Sequence, residues 1–167
     1  MISYGARSND VLLQYYGFVQ PDNPHEVYAL EPEALILEMD AAVGLPDGAL
    51  AGLKSQPALA EALLQGTMSL KADGADERAM RLARLLTNPA LAAANEMGAE
   101  PLRDGAAEAA ALRALAGVAN ARLAALPAPS TKEDGTEVGS LLSAFVAEKQ
   151  RVLAASAAAL EQQATSV

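Results

Sequence analysis

Apolar residues fall into two regimes along the chain. In the first 30 residues they are mixed with rings and broken by glycine, asparagine and proline. From residue 31 onward they recur in a background of alanine, mostly at helical spacing. Ile2-Ser3-Tyr4 is short and β-compatible, and Gly5 permits a sharp exit from it. Ser8 is placed to cap a helix, with Asp10 in the first turn to complement the helix dipole. Val11, Leu12, Tyr15, Tyr16 and Val19 then form a mixed stripe on one side of that helix. The turn-rich run "QPDNPHE" (20–26) stops it before Val27. The change of regime after residue 30 is the expected domain boundary.

The second regime predicts a series of helices. "EALILEMDAAVG" (33–44) has a short continuous apolar run that suits strand or helix, with helix preferred. "GLPDG" (44–48) is a turn, and "PALAEALL" (57–64) is a short helix opened by Pro57. "GTMSLKADG" (66–74) reads as an extended segment ended by "ADG". Residues 77–87 read as a helix with Met80, Leu82, Leu85 and Leu86 to bury, ended by Asn88-Pro89. Residues 105–126 align Leu112, Leu115, Ala119, Leu123 and Leu126 before "PAP". "STKE" (130–133) is a capping box, Ser130 and Glu133 each serving the other's amide. The amphipathic stripe Val138, Leu141, Leu142, Phe145, Val146, Val152, Leu153, Leu160 follows. With no repeat of about 20–50 residues, the expected fold is mainly α: a helical bundle preceded by a short strand-turn-helix.

Composition narrows the function classes. Asp and Glu outnumber Lys and Arg 21 to 12, giving a formal charge of −9. That disfavours a phosphate-backbone binder, which needs a basic face, and leaves room for a basic protein partner. There is no cysteine, so disulfides, thiolate nucleophiles and Cys-based metal sites are excluded, and the single histidine, His25, argues against a His-clustered zinc site. No apolar run approaches the roughly 18 residues of a membrane span, and the first residues have neither signal- nor transit-peptide character.

No phosphate-binding glycine loop, dinucleotide fingerprint or nucleophile elbow is present. The carboxylates read as solvated helix faces, and His25 as a structural or solvated turn residue. The aromatics stand apart: "ISYGARSNDVLLQYYGFV" (2–19) holds three of the four tyrosines and one of the two phenylalanines. Spacing alone reads these rings as packing. Rings with hydroxyls also suit a cationic or neutral amine, through ring-face attraction and a hydrogen bond to the lone pair.

The ordered residues "ISYG-x-x-SN-x-x-LL-x-x-YGFV-x-x-DNPH" resemble the C-terminal end of the SET domain in protein lysine methyltransferases of the Rubisco large-subunit methyltransferase type. "MRLARLLT" (80–87), "STKEDGTEV" (130–138) and "FVAEKQRVL" (145–153) resemble that family's helical substrate-binding domain more weakly. The resemblance implies residues 1–30 as the end of a SET domain and 31–167 as the module docking a protein substrate. It places Tyr4 as the catalytic tyrosine beside the methyl acceptor and the sulfonium of S-adenosylmethionine. Tyr16 would line the target side chain's channel, and Phe18 would pack near the cofactor's adenine. Ser8 and Asn9 match the family's "SN" pair, read as cap and turn. Methyl transfer needs chiefly a deprotonated amine held in line and desolvated, a task suited to tyrosine hydroxyls.

The family's earlier SET segments, with the cofactor loop and the Asn-His motif, are not among these residues. A C-terminal fragment, catalytically silent alone and prone to self-association where the rest of its SET domain would sit, is therefore expected. A rival class is a non-catalytic helical interaction module with the aromatics as packing anchors, and a histidine acceptor is a third reading. Chloroplast is suggested by the family's name-giving substrate; cytosol or nucleus fits equally.

Overall fold

The computed structural model describes residues 5–55, 57–90, 102, 104–128 and 136–167. The chain is mainly helical with one small sheet. The described elements are α1 (Asn9–Tyr16), β1 (Val27–Leu30), α2 (Pro32–Val43), α3 (Ala49–Lys54), α4 (Pro57–Leu64), β2 (Met68–Lys71), β3 (Gly74–Ala75) and α5 (Glu77–Thr87), followed by α6 (Gly105–Ala125) and α7 (Glu137–Ser166). Ile2-Ser3-Tyr4 and the "STKE" capping box lie outside the described residues.

The helix expected from residue 33 forms as α2, with Pro32 in its first turn where a missing amide is harmless. The extended segment 66–74 becomes a hairpin. β2 pairs antiparallel with β1, Tyr28 opposite Leu70 and Leu30 opposite Met68, and then with β3. Along β2 the period-two pattern holds: Met68 and Leu70 are buried, while Lys71 is exposed. The expected boundary at residue 30 falls between β1 and α2, and β1 takes its partner from residues 68–71. Strands β1 and β3 and helix α3 were not predicted. Each is two to six residues long, too short for periodicity to register.

Helix α5 is fixed at its start by Asp76, whose Oδ1 accepts from the Ala79 amide at 2.8 Å. Its Oδ2 accepts from the Ser69 amide and hydroxyl at 2.6 and 2.9 Å, tying the helix to β2.

Helix α6 is the centre of the bundle, packing on α2, α5 and α7. Ala109, Ala111, Ala114, Ala116 and Ala119 are buried with Leu112, Leu115 and Val118, so three neighbours surround it. Alanine therefore dominates because helices must approach from several sides. One close approach is at Gly117, where an added Cβ would lie 2.9 Å from the Ala42 Cβ on α2. Gly117→Ala should destabilise by about 1–2 kcal/mol through overpacking, against a helix-propensity gain of up to about 1. Adding Ala42→Gly should recover the loss. Urea melts of both variants check this; a single variant as stable as the parent would refute it. Nearby, Arg122 bridges α6 to α2 through both Glu38 oxygens. That hydrogen bond, opposed by burial, holds its guanidinium above its ordinary value.

The long C-terminal helix matches its predicted stripe only in part. Val152, Leu153 and Leu160 are buried, Leu141, Phe145 and Val146 are half-buried, and Val138 and Leu142 are exposed. Its start is capped at Thr136, whose hydroxyl accepts from the Gly139 amide at 3.1 Å.

Candidate functional site

The aromatic opening is built around α1, and its geometry departs from expectation in three ways. First, α1 ends at Tyr16, well before the proline-rich turn. Gly17 takes a left-handed conformation (φ 74°) and its amide closes on the Leu13 carbonyl at 3.1 Å. Secondly, the predicted apolar stripe is not a buried face. Leu12 is buried, Val11 and Val19 are half-buried, and Tyr15 and Tyr16 are 70% and 51% exposed. Thirdly, Ser8 occupies the N-cap position but its side chain makes no capping bond. A carboxylate from elsewhere serves the helix start: Glu26 Oε2 accepts from the Asn9 amide at 2.6 Å.

Gly17 turns the chain so that Tyr16 and Phe18 stand together, ring centroids 6.5 Å apart and tilted by 45°. That spacing is an ordinary aromatic pair. Tyr16 presents much of its ring to solvent, and Phe18 is half-buried. Tyr4, the third candidate, lies outside the described residues. The structure thus brings two of the three candidates side by side.

At the start of α1 lies a buried polar network that sequence reasoning missed. Lys149 on α7 is 5% exposed and its ammonium donates to Asp10 Oδ2, to Glu26 Oε1 and, at 2.7 Å, to the Val27 carbonyl. The Phe145 ring lies under it, 5.0 Å from centroid to nitrogen. Asn9, buried, holds the main chain at Gln20 from both sides: its amide donates to the carbonyl at 3.0 Å, and its oxygen accepts from the Gln20 N–H at 2.8 Å.

The following turn is tied down in the same manner. Buried Asn23 donates to the Arg7 carbonyl at 2.8 Å and accepts from the His25 amide at 2.9 Å. Asp22, in the left-handed region (φ 50°), donates its amide to Glu148 Oε1 at 2.9 Å. Arg151 joins Glu148 Oε2 to the Asn23 carbonyl. The reading of helix carboxylates as solvated faces fails at Glu108 and Glu148, and Glu26 of the turn is buried as well. Each is acceptable there because a cation or backbone amides answer the charge. His25 is exposed at the turn, as its solvated reading required.

No protein-family model, curated protein or solved structure matches the chain.

Chemically, the ring pair offers two flat faces and one hydroxyl, enough for one wall around an amine or an adenine. Among the described residues no three His, Cys, Asp or Glu side chains group as metal ligands. Two clefts of about 500 and 420 Å³ open elsewhere, one by His25 and Lys71 and one by Arg84 and Gln163; neither is lined by Tyr16 or Phe18. One signal could have found the missed network: Lys149 sits four residues from both Phe145 and Leu153, inside the apolar stripe rather than beside it. No described helix is long and apolar enough to cross a membrane.

Proposed function

We propose that the chain acts as the C-terminal part of an S-adenosylmethionine-dependent protein-lysine N-methyltransferase. Residues 1–30 complete a SET domain, and the helical remainder is a substrate-binding module of the Rubisco methyltransferase type that docks the protein bearing the target lysine. The observation that carries the reading is the ordered motif from Tyr4 to His25. The pairing of Tyr16 and Phe18 across a left-handed Gly17 supports it, because the motif's glycine and its two rings then form one feature. Helices α2 to α7 are consistent with a mainly helical docking module. S-adenosylmethionine would supply the methyl group, Phe18 a flat face for its adenine, and Tyr16 and Tyr4 hydroxyls that orient the acceptor amine.

The test has two arms. The gene's whole reading frame is assayed for transfer of radiolabelled methyl to protein lysines, and the 167-residue chain is titrated with S-adenosylmethionine in a calorimeter. Transfer by the whole product is expected, with Tyr16→Ala reducing kcat/KM about 100-fold through lost positioning of the amine. No heat is expected from the chain alone at micromolar concentrations. Absence of transfer from the whole product would sink the reading. Micromolar binding by the chain would sink the claim that its site is incomplete.

A further inference from the structure

We propose that Lys149 is a positioning residue: from the last helix it latches α1 in place, and so fixes where Tyr16 and Phe18 stand. The purpose given to the rings rests on the methyltransferase reading; the latch does not.

Helix α1 has little else to hold it. It has few contacts with the other elements, and its one buried apolar side chain, Leu12, stands apart from the main hydrophobic core formed by α2 to α7 and the sheet. An eight-residue helix is marginal on its own, so its placement depends on tethers. Asn9 ties the start of α1 to the main chain at Gln20, and the tethers to the rest of the fold converge on one atom. An ammonium has three protons, and the Lys149 nitrogen faces three acceptors: Asp10 of α1, Glu26 of the turn, and the carbonyl of Val27 at the start of β1.

Glu26, its side chain fully buried, spends its other oxygen on the first amide of α1. The chain of contacts therefore runs from α7 through Lys149 and Glu26 to Asn9. A second path runs through Asp10, and six residues further along the same rigid helix stands Tyr16. Remove the ammonium and Glu26 is left as a buried charge without its cation, a costly state that is relieved by letting the turn and α1 come away.

The test is hydrogen–deuterium exchange on the 167-residue chain. In Lys149→Met, amides of α1 through Phe18 should exchange at least about tenfold faster, while those of α6 change by less than about twofold, because local opening is separable from global unfolding. Asp10→Asn removes the more exposed partner and leaves Lys149 and Glu26 paired. It should speed α1 exchange about threefold, with the melting midpoint unmoved. Lys149→Arg should recover part of the protection. If α1 protection survives Lys149→Met, the latch is wrong. If Lys149→Met unfolds the whole chain, Asp10→Asn decides, and unchanged α1 exchange in that variant overturns the proposal. None of these readouts uses S-adenosylmethionine or methyl transfer, so the latch and the enzyme reading fail in different experiments.

Discussion

Glu108→Ala is expected to cost about 3–5 kcal/mol of folding stability, because it removes the carboxylate that answers a buried guanidinium. Glu108 and Arg84 are both buried, 4% and 6% exposed, so the carboxylate is the guanidinium's forked partner in a largely water-poor place. The pair is forked: Arg84 Nε donates to Oε2 at 2.9 Å and to Oε1 at 3.2 Å, and its Nη2 donates to Oε1 at 2.7 Å. Such bidentate pairs are among the stronger charged hydrogen bonds. The same carboxylate accepts the Leu102 amide at 2.9 Å, so one side chain joins α5, α6 and the residue leading into α6. Replacing both partners with apolar residues, Arg84→Met with Glu108→Leu, should cost far less than Glu108→Ala alone. Urea denaturation at pH 7 reads both; a Glu108→Ala loss below about 1 kcal/mol would mean that the guanidinium reaches water by relaxation.

The same pair carries a pH dependence whose sign is fixed. Burial pushes the Glu108 carboxyl up, but the Arg84 hydrogen bond, the Leu102 amide and the Arg84 charge together outweigh it, and the group is held below its ordinary 4.5. A carboxyl with a depressed folded-state pKa stabilises the fold at pH values above its unfolded pKa and loses that contribution as pH falls through the folded one. The stability gap between parent and Glu108→Ala should therefore be full at pH 6–7 and shrink below about pH 4.

How much of this was legible follows from what sets each feature. Helices α4, α5, α6 and α7 were legible because their apolar residues fall at helical spacing, and Pro57 marks the start of α4; α2 was ambiguous, since its short continuous apolar run suits strand or helix. Strand β1, the other partner of β2, was not legible, because the four residues Val27–Leu30 carry no periodic signal until Met68–Lys71 lies beside them. The exposure of Tyr15 and Tyr16 was illegible for a similar reason: a stripe says which residues share a side, not whether anything covers it. The buried carboxylates were hidden by treating charge as surface. Glu108 with Leu112 and Leu115, and Lys149 with Phe145 and Leu153, occupy stripe positions. A charge at such a place signals a buried partner across the interface. Which partner is a matter of tertiary contact: Arg84 is 24 residues from Glu108, and Glu26 is 123 from Lys149.

Leu160→Ala should remove about 3–4 kcal/mol, well inside the range for a fully buried leucine and including a cavity cost, because the site cannot collapse. Leu160 is wholly buried where α7 crosses the hairpin, its Cδ2 3.7 Å from where a Cβ on Gly74 would stand. Two polar tethers flank it and hold that distance. Ser156, buried one turn earlier, donates to the Gly74 carbonyl at 2.7 Å, and Gln163 donates to the Asp73 carbonyl at 3.1 Å. With helix and hairpin pinned on both sides, the space left by the missing carbons stays open, and the cavity cost adds to the lost transfer free energy. Leu142→Ala, on the exposed part of the same helix, should change stability by less than about 0.5 kcal/mol. Urea midpoints at constant m-value measure both. If Leu160→Ala lost no more than Leu142→Ala, the hairpin would have closed onto α7, and the tethers would not fix the spacing assigned to them.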